Sequence, residues 1–341
     1  MTMRAYIVRR LALLVFVILG IMAITFFISR VIPSDPTALY LGGGRHTPEQ
    51  KAEARKKLGL DKPLVVQFGL YVKDFVRGDW GQSLRTRRPV LNDIMGFLPA
   101  SLELILAAMA LAVVVGVSTG ALTAYRKGRF VDHAGRVAAI AGVSLPSFFL
   151  ALVLQIIFFR VLHLLPVSGQ LSIAVAQEHP VKDITGMLVV DSFITANWPA
   201  FWDGFQHLIL PTLALAAYSA GMTMRMTRSA MLDALESDYS RMAYAMGVPD
   251  RVIVGRYALK NALAPVLTVI GLLFAYALVG TFFIEQIFAW PGLGTYATLS
   301  ILNLDYPAIM GVTVIVALAY VTVNLIVDLI IAKLDPRVML S

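Results

Sequence analysis

Acid–base or metal chemistry would first be sought at the five histidines, His46, His133, His163, His179 and His207. They are scattered along the chain, and no two stand in the His-x-x-x-His spacing that puts paired ligands on one helix face. The chain has no cysteine, which removes thiol catalysis, disulfides and zinc–thiolate sites. Ser144, in AGVSLPSF, sits where an intramembrane nucleophile could sit. A serine nucleophile needs a general base within hydrogen-bond reach, and no histidine falls inside an apolar run. Beside Pro146, its expected role is to relieve backbone groups freed by a helix kink. No G-x-x-x-x-G-K-[ST] phosphate loop occurs, so any ATP hydrolysis must come from another chain. What remains is recognition and movement, without bond making.

The stretch with the most to recognise is YSRMAYAMGVPDRV, which begins at Tyr239 inside a connector, 225–260, holding ten charged residues. Ser237 is positioned to cap a helix beginning near Asp238 or Tyr239. Tyr239, Ala243 and Gly247 then share one face at i, i+4 and i+8, with Met242 and Met246 on a neighbouring face. Gly247 suits a left-handed residue past the helix end, and Pro249 suits the start of a second helix running through ALKNALAP. Small residues allow a partner backbone to approach, methionines adapt to a groove, and Arg241 and Arg251 are placed to meet acidic rim residues. A helix lying on lipid would want a broader face of large apolar residues. The pattern therefore favours a protein partner.

The elements that must position this stretch are membrane-spanning. The chain is 58% apolar and only 15% charged, with a mean hydropathy of +0.75, too greasy for a soluble domain of 341 residues. Uncharged runs extend over Leu11–Ser29, Leu104–Tyr125, Val137–Phe159, Leu208–Met224, Asn261–Ile284 and Tyr306–Val327. Each approaches the ~20 residues a spanning helix needs. The fourth is extendable upstream to Gly204, with Pro211 near its start. The first follows basic residues without a small-x-small cleavage site, as expected of an uncleaved helix. A net charge of +8 could suggest nucleic acid, but in such a chain it reflects Lys and Arg held at the inner face, and no nucleic-acid partner is expected.

Short loops set the orientation. Arg126, Lys127, Arg129 and Arg136 fill the 126–136 loop, and six further basic residues lie in 225–260; 289–305 has none and 161–206 only Lys182. That places both termini in the cytoplasm. The expectation is an all-α polytopic membrane protein of six transmembrane helices. Residues 1–30 hold the N-terminus and first span, 31–100 an extracytoplasmic subdomain between helices 1 and 2, and 336–341 a cytoplasmic tail. The core is 101–335, with an external loop at 161–206 and the 225–260 connector between helices 4 and 5. Within 31–100, EQKAEARKKLGLDKPL reads as a short helix stopped by Gly59, and GDWGQSLRTRRPV as a turn before an extended piece.

Ion-coupled carriers hold ionisable residues mid-membrane, and these runs hold none. Glu103, Glu285 and Asp328 fall at predicted ends, where interfacial or loop-facing charge is expected. Gln155 and Asn324 are expected to make interhelical hydrogen bonds, and Gly116-Val-Ser-Thr-Gly120 to allow close helix approach. Such a pathway would pass cargo without driving it. A stand-alone channel or secondary carrier is the rival class, and it would work without ATPase subunits.

Several motifs in order make the whole chain resemble the permease subunits of bacterial ABC importers, in the dipeptide/oligopeptide/nickel branch. They are VIPSDP after the first span, LGLDKPL and GDWGQSL, then RMTRSAMLDALESDYSRMAYAMGV, FAWPGLG (Phe288–Gly294), LDYPAIMG (Leu304–Gly311) and the closing DPR (Asp335–Arg337). The resemblance implies a multi-pass protein of the bacterial inner membrane that pairs with a second homologous permease subunit. It also implies two cytoplasmic ATPase subunits, which bind ATP and Mg so that this chain needs no cofactor, and an extracytoplasmic substrate-binding protein. The coupling loop would be Tyr239, Arg241, Met242, Ala243, Met246, Gly247 and Pro249. Arg241 stands where the family's general consensus has Glu. Di- or oligopeptides are the expected cargo; nickel, glutathione, opines and oligosaccharides are taken by the same architecture. No catalytic, cofactor or metal residues are expected.

Overall fold

The computed structural model describes residues 3–31, 37, 41, 47–57 and 59–334. VIPSDP beyond Val31, Leu58 of LGLDKPL, the DPR motif and the 336–341 tail lie outside the described residues. The described chain is helical: α1 Met3–Val31, α2 Pro48–Lys57, α3 Leu64–Val76, α4 Val90–Tyr125, α5 Phe130–Ser144, α6 Ser147–Val161, α7 Ile173–Glu178, α8 Leu188–Ile194, α9 Trp198–Glu236, α10 Asp238–Ala245, α11 Asp250–Ile287, α12 Leu293–Leu302 and α13 Tyr306–Leu334. Gln155–Val161 at the end of α6 and Ile253–Ala258 near the start of α11 are π-helical. Extended pairing among the described residues is limited to one bridge, Gln82 to Pro89, inside the expected turn.

Four helices are each long and apolar enough to cross a membrane: Val90–Tyr125, Trp198–Glu236, Asp250–Ile287 and the Tyr306–Ile331 part of α13. The third expected span meets that condition only as the pair α5 and α6, bent by 106° at Leu145–Pro146. The expected kink is a break. In α1 the apolar described part, Val15–Ile28, is shorter than a full span. The chain is thus a multi-pass, all-α membrane protein.

Helices outrun the apolar segments that mark them. At 1.5 Å per residue, the 39 residues of α9 extend about 58 Å, nearly twice a bilayer's ~30 Å hydrocarbon thickness. It begins at Trp198, inside the expected 161–206 loop, and continues through Arg225 to Glu236, inside the expected connector. No Gly or Pro interrupts 225–236, so nothing local stops the helix there. Likewise α4 starts at Val90 with Pro99 inside it, and α3 is a helix in a segment read from sequence as helix, turn and extended piece.

The chain divides into two compact units, one centred on Pro99–Thr295 and the other on Ile7–Leu98 with Tyr296–Ala319. In the first, α9 is the hub and packs on α5, α6, α8 and α11. Gly116 and Gly120 face Thr223 and Thr227 so closely that an added Cβ would stand 2.6 Å from each threonine Cβ. The G-x-x-x-G therefore serves packing of α4 on α9 within this chain. In the second unit an aromatic stack joins α1 to α3 (Phe26 to Phe68 5.5 Å and to Tyr71 5.9 Å) and continues from Phe75 to Trp80 at 4.2 Å.

Of the three acidic residues at the expected span ends, two are buried and face loops. Glu285 accepts the Ser101 hydroxyl and, at 2.8 Å, the Thr295 N–H. Glu103 accepts the N–H groups of Val189 (2.7 Å) and Val190 (3.3 Å), the first-turn donors of α8. Both side chains tie a helix to the loop beyond it, because a buried N–H without an acceptor costs ~1–3 kcal/mol. Asp328 is half-buried. Gln155 bonds the carbonyls of Val167 and Ile287, a loop and a helix end.

Candidate coupling surface

The connector stretch folds into α10 because its ends are specified locally. Ser237 is the N-cap residue, extended at φ −69°, ψ 157°, but its hydroxyl does not cap the helix. It donates back to the Ala234 carbonyl at 2.6 Å, which the Ser240 hydroxyl also reaches at 2.7 Å. These two bonds fasten the start of α10 to the end of α9. At the other end Val248 N–H meets the Ala243 carbonyl at 3.1 Å and Gly247 N–H the Tyr244 carbonyl at 3.0 Å. This 6→1 and 5→2 pairing is a Schellman stop, which requires a left-handed residue, and Gly247 has φ +75°. No described residue lies within 4 Å of a Cβ built there, so backbone conformation calls for glycine. Pro249 stands at the N-cap of α11, one residue before the expected first helical position.

The faces of α10 are cleanly divided. Ser240 and Ala243 are buried against this chain, so Ala243 is not available to a partner. Met242 (63% exposed), Met246 (64%), Tyr239, Arg241 and Tyr244 point outward. Arg241 reaches Asp238 only at 3.8 Å with both groups exposed, a contact worth ~0–1 kcal/mol at most. The result is two flexible thioethers and two aromatic rings around an uncommitted guanidinium.

The platform beneath is stiff. Ala124 of α4, Met231 and Ala234 of α9, and Ala258 and Ala262 of α11 form one buried cluster, with small side chains allowing close helix approach. Arg228 of α9 forks onto Asp132 of α5 at 2.7 and 2.9 Å, and Asp132 also accepts Gly128 N–H at 2.9 Å. Such a bidentate pair fixes orientation as well as distance. Lys127 to Glu236 (2.8 Å) and the Tyr125 hydroxyl to Asp250 (2.8 Å) are exposed additions. A force on α10 thus falls on two helices locked to a third and a fourth.

Two resemblance motifs are architectural. In FAWPGLG, Phe288, Trp290 and Leu293 are buried, Trp290 Nε1 donates to the Ala100 carbonyl at 2.9 Å, and the turn closes around Glu285. In LDYPAIMG, buried Asp305 accepts the Ser83 hydroxyl at 2.5 Å and Arg85 N–H at 3.2 Å. That carboxyl joins GDWGQSL to a motif more than two hundred residues away. Sequence reasoning did not find the pairings of Asp132, Arg228, Asp305 or Ser101, and only their charged or hydroxyl character could have pointed to them. Among the described residues no group of three or more His, Asp or Glu is arranged to hold a metal ion.

The chain thus combines a multi-helix membrane core with an exposed connector helix anchored at both ends. Residues 112–340 match the family model of the binding-protein-dependent transport system inner membrane component, and residues 3–105 that of its N-terminal region. The chain belongs to this family of inner-membrane transport permeases. It is 45% identical over 325 residues to the probable D,D-dipeptide transport system permease of Escherichia coli K12, covering 95% of this chain and 94% of that one. It is 40% identical over 336 residues to the dipeptide transport system permease of Alkalihalophilus pseudofirmus, covering 98% and 99%. With the glutathione transport system permease of Salmonella choleraesuis it shares 34% identity over 338 residues, covering 98% of both.

Proposed function

We propose that this chain forms half of the translocation pathway of an ATP-driven importer for di- and oligopeptides. The observation that carries this reading is the 45% and 40% identity, over nearly the whole chain, to permeases named for dipeptide transport. In this reading the chain crosses the membrane six times with both termini cytoplasmic, α1 supplying the first span. The 31–100 and 161–206 segments face outward, toward a binding protein that delivers the peptide. A second homologous permease completes the pathway, and two cytoplasmic ATPases hold the ATP and Mg, one of them seated on α10. Met242, Met246, Tyr239 and Arg241 make the contact, whereas Ala243, Gly247 and Pro249 shape the helix that presents them. Closure of the ATPases moves α10, and the braced α9 and α11 carry that motion into the membrane as a switch between two packed arrangements.

The test is reconstitution of this chain with its sister permease, ATPases and binding protein in proteoliposomes. Uptake of a labelled dipeptide is expected only with the binding protein outside and ATP at the ATPase side. Full uptake by this chain alone, driven by an ion gradient, would sink the reading in favour of a carrier.

A further inference from the structure

The break between α5 and α6 opens a cavity of about 420 Å³, within the ~300–1,000 Å³ range of small-ligand sites. No charged side chain lines it; its polar groups are the hydroxyls of Ser144, Ser147, Tyr218, Ser219 and Tyr276. Charge selectivity there must come from the backbone. The first hydrogen bond of α6 runs from Leu150 N–H to the Pro146 carbonyl at 3.0 Å, and no side chain caps the helix. The N–H groups of Ser147, Phe148 and Phe149 thus precede the ladder and carry the positive end of the helix dipole. Across the break, the last bond of α5 goes to the Ala141 carbonyl, which leaves the Val143 and Ser144 carbonyls at its negative end.

A second observation is independent of the helix ends. Ser219 of α9 is only 3% exposed and lines this cavity, yet its hydroxyl makes no hydrogen bond to any described residue. Most buried serines bond a helix carbonyl, whereas this one lies on the cavity wall without such a bond. Tyr218 and Tyr276, with ring centroids 5.9 Å apart, form a wall beside it. The walls therefore offer donors, acceptors and aromatic faces without a fixed charge.

We propose that this break is a seat on the translocation route for the main-chain ends of a zwitterionic peptide. The α6 N–H groups receive the carboxylate, the α5 carbonyls face the ammonium, and Ser219 takes a peptide-bond group. The proposal rests on the importer reading and deepens it. Recognition by dipoles and hydroxyls suits cargo whose side chains vary, because it touches only what all peptides share. It also keeps binding shallow enough for release.

The absence of cysteine makes the test direct, since Ser147→Cys places the single thiol of this chain at the break. In the full complex in proteoliposomes, its modification is followed on this chain's own band, with anionic and cationic methanethiosulfonates. Their rates on free 2-mercaptoethanol serve as the baseline. The anionic reagent is expected to be favoured by roughly two- to five-fold, the effect of a helix terminus on one charge. Alanyl-alanine with its binding protein and ATP is expected to slow the reaction several-fold. Ser219→Cys, on another helix lining the same cavity, should show the same protection and serves if Ser147→Cys fails to assemble. An unreactive thiol, no anion preference at position 147, or modification indifferent to alanyl-alanine overturns the seat. Uptake by the wild-type complex is scored separately. If it fails while protection persists, the importer reading falls and the peptide seat stands.

Discussion

The helix α10 and the Phe288–Gly294 turn are both recognisable stretches, yet they spend their side chains in opposite ways. The turn is self-sufficient: Trp290 is buried and bonded, and Glu285 gathers a hydroxyl and a backbone N–H around itself. In α10 the backbone is satisfied by the chain, whereas Met242, Met246 and Tyr239 are left outside and Arg241 is nearly unpaired. A motif whose polar groups are consumed internally is holding the fold. One whose large side chains find nothing internal is made for a partner. Substitutions in the turn should therefore register as stability and those in α10 as coupling.

The largest expected effect is at the turn. Replacing Glu285 by Leu removes the acceptor for the buried Ser101 hydroxyl and the half-buried Thr295 N–H, at up to ~1–3 kcal/mol each. We expect the variant to lose several kcal/mol, read as a collapse in folded yield from detergent. Glu285→Gln, which keeps an acceptor oxygen, should recover much of it. A Leu variant as stable as the parent would break the contrast between the regions.

Next is Gly247. Its φ of +75° is strained for any branched side chain, at ~1–3 kcal/mol, but the space around it is open. Gly247→Val should insert normally yet lose the sharp stop, so that ATPase activity persists while uptake falls. Gly247→Asn, which tolerates the left-handed conformation, should transport well. If Val and Asn behave alike, conformation is not what the position requires.

These residues also show what was legible. Gly247 and the start of α10 at Asp238 follow from backbone rules acting within a few residues, so spacing alone placed them, whereas Pro249 falls at the N-cap rather than the first helical position. The hydroxyl of Ser237 could not be read, because capping and bonding back to Ala234 are equally local alternatives. Hydropathy located the membrane runs but not the helix ends, since α9 runs on through charged residues for which water is simply a better solvent. The burial of Glu103 and Glu285 was not readable, because Val189 and Ser101 lie 86 and 184 residues away, beyond any local pattern. Pro146 marks the place of the break in the third span, but the 106° bend depends on packing that no local pattern encodes.

A smaller effect sharpens the α10 side of the comparison. Met242→Asp with Met246→Asp alters two exposed side chains that support nothing internally, so chain stability should move by less than ~0.5 kcal/mol per site. Capture of the ATPase subunits should fall at least about tenfold, ~1.4 kcal/mol, as polar groups replace an adaptable apolar contact. Undiminished capture would remove these methionines from the contact. A large loss of thermal stability would mean that the face is structural after all.

The smallest effect lies in the 161–206 segment, where Asp191 does on a minor scale what Glu285 does for the turn. Burial pushes its carboxyl up, but the Thr185 hydroxyl and the N–H groups of Ile184, Thr185 and Gly186 outweigh that and hold it below the usual carboxylate range. A lowered folded value means the stabilisation is complete above the unfolded value of about 3.9 and is lost as pH falls through the folded one. The stability gap between the parent and Asp191→Asn should then be flat from about pH 8 to 5 and narrow as pH falls below about 4. Thermal unfolding in detergent across that range reads it directly. A gap that instead widened on acidification would place the folded value above the unfolded one and make the loop's hydrogen bonds too weak to offset burial. Asp191 would then be a group the fold tolerates, and the self-sufficiency claimed for buried acidic anchors would be confined to Glu103 and Glu285.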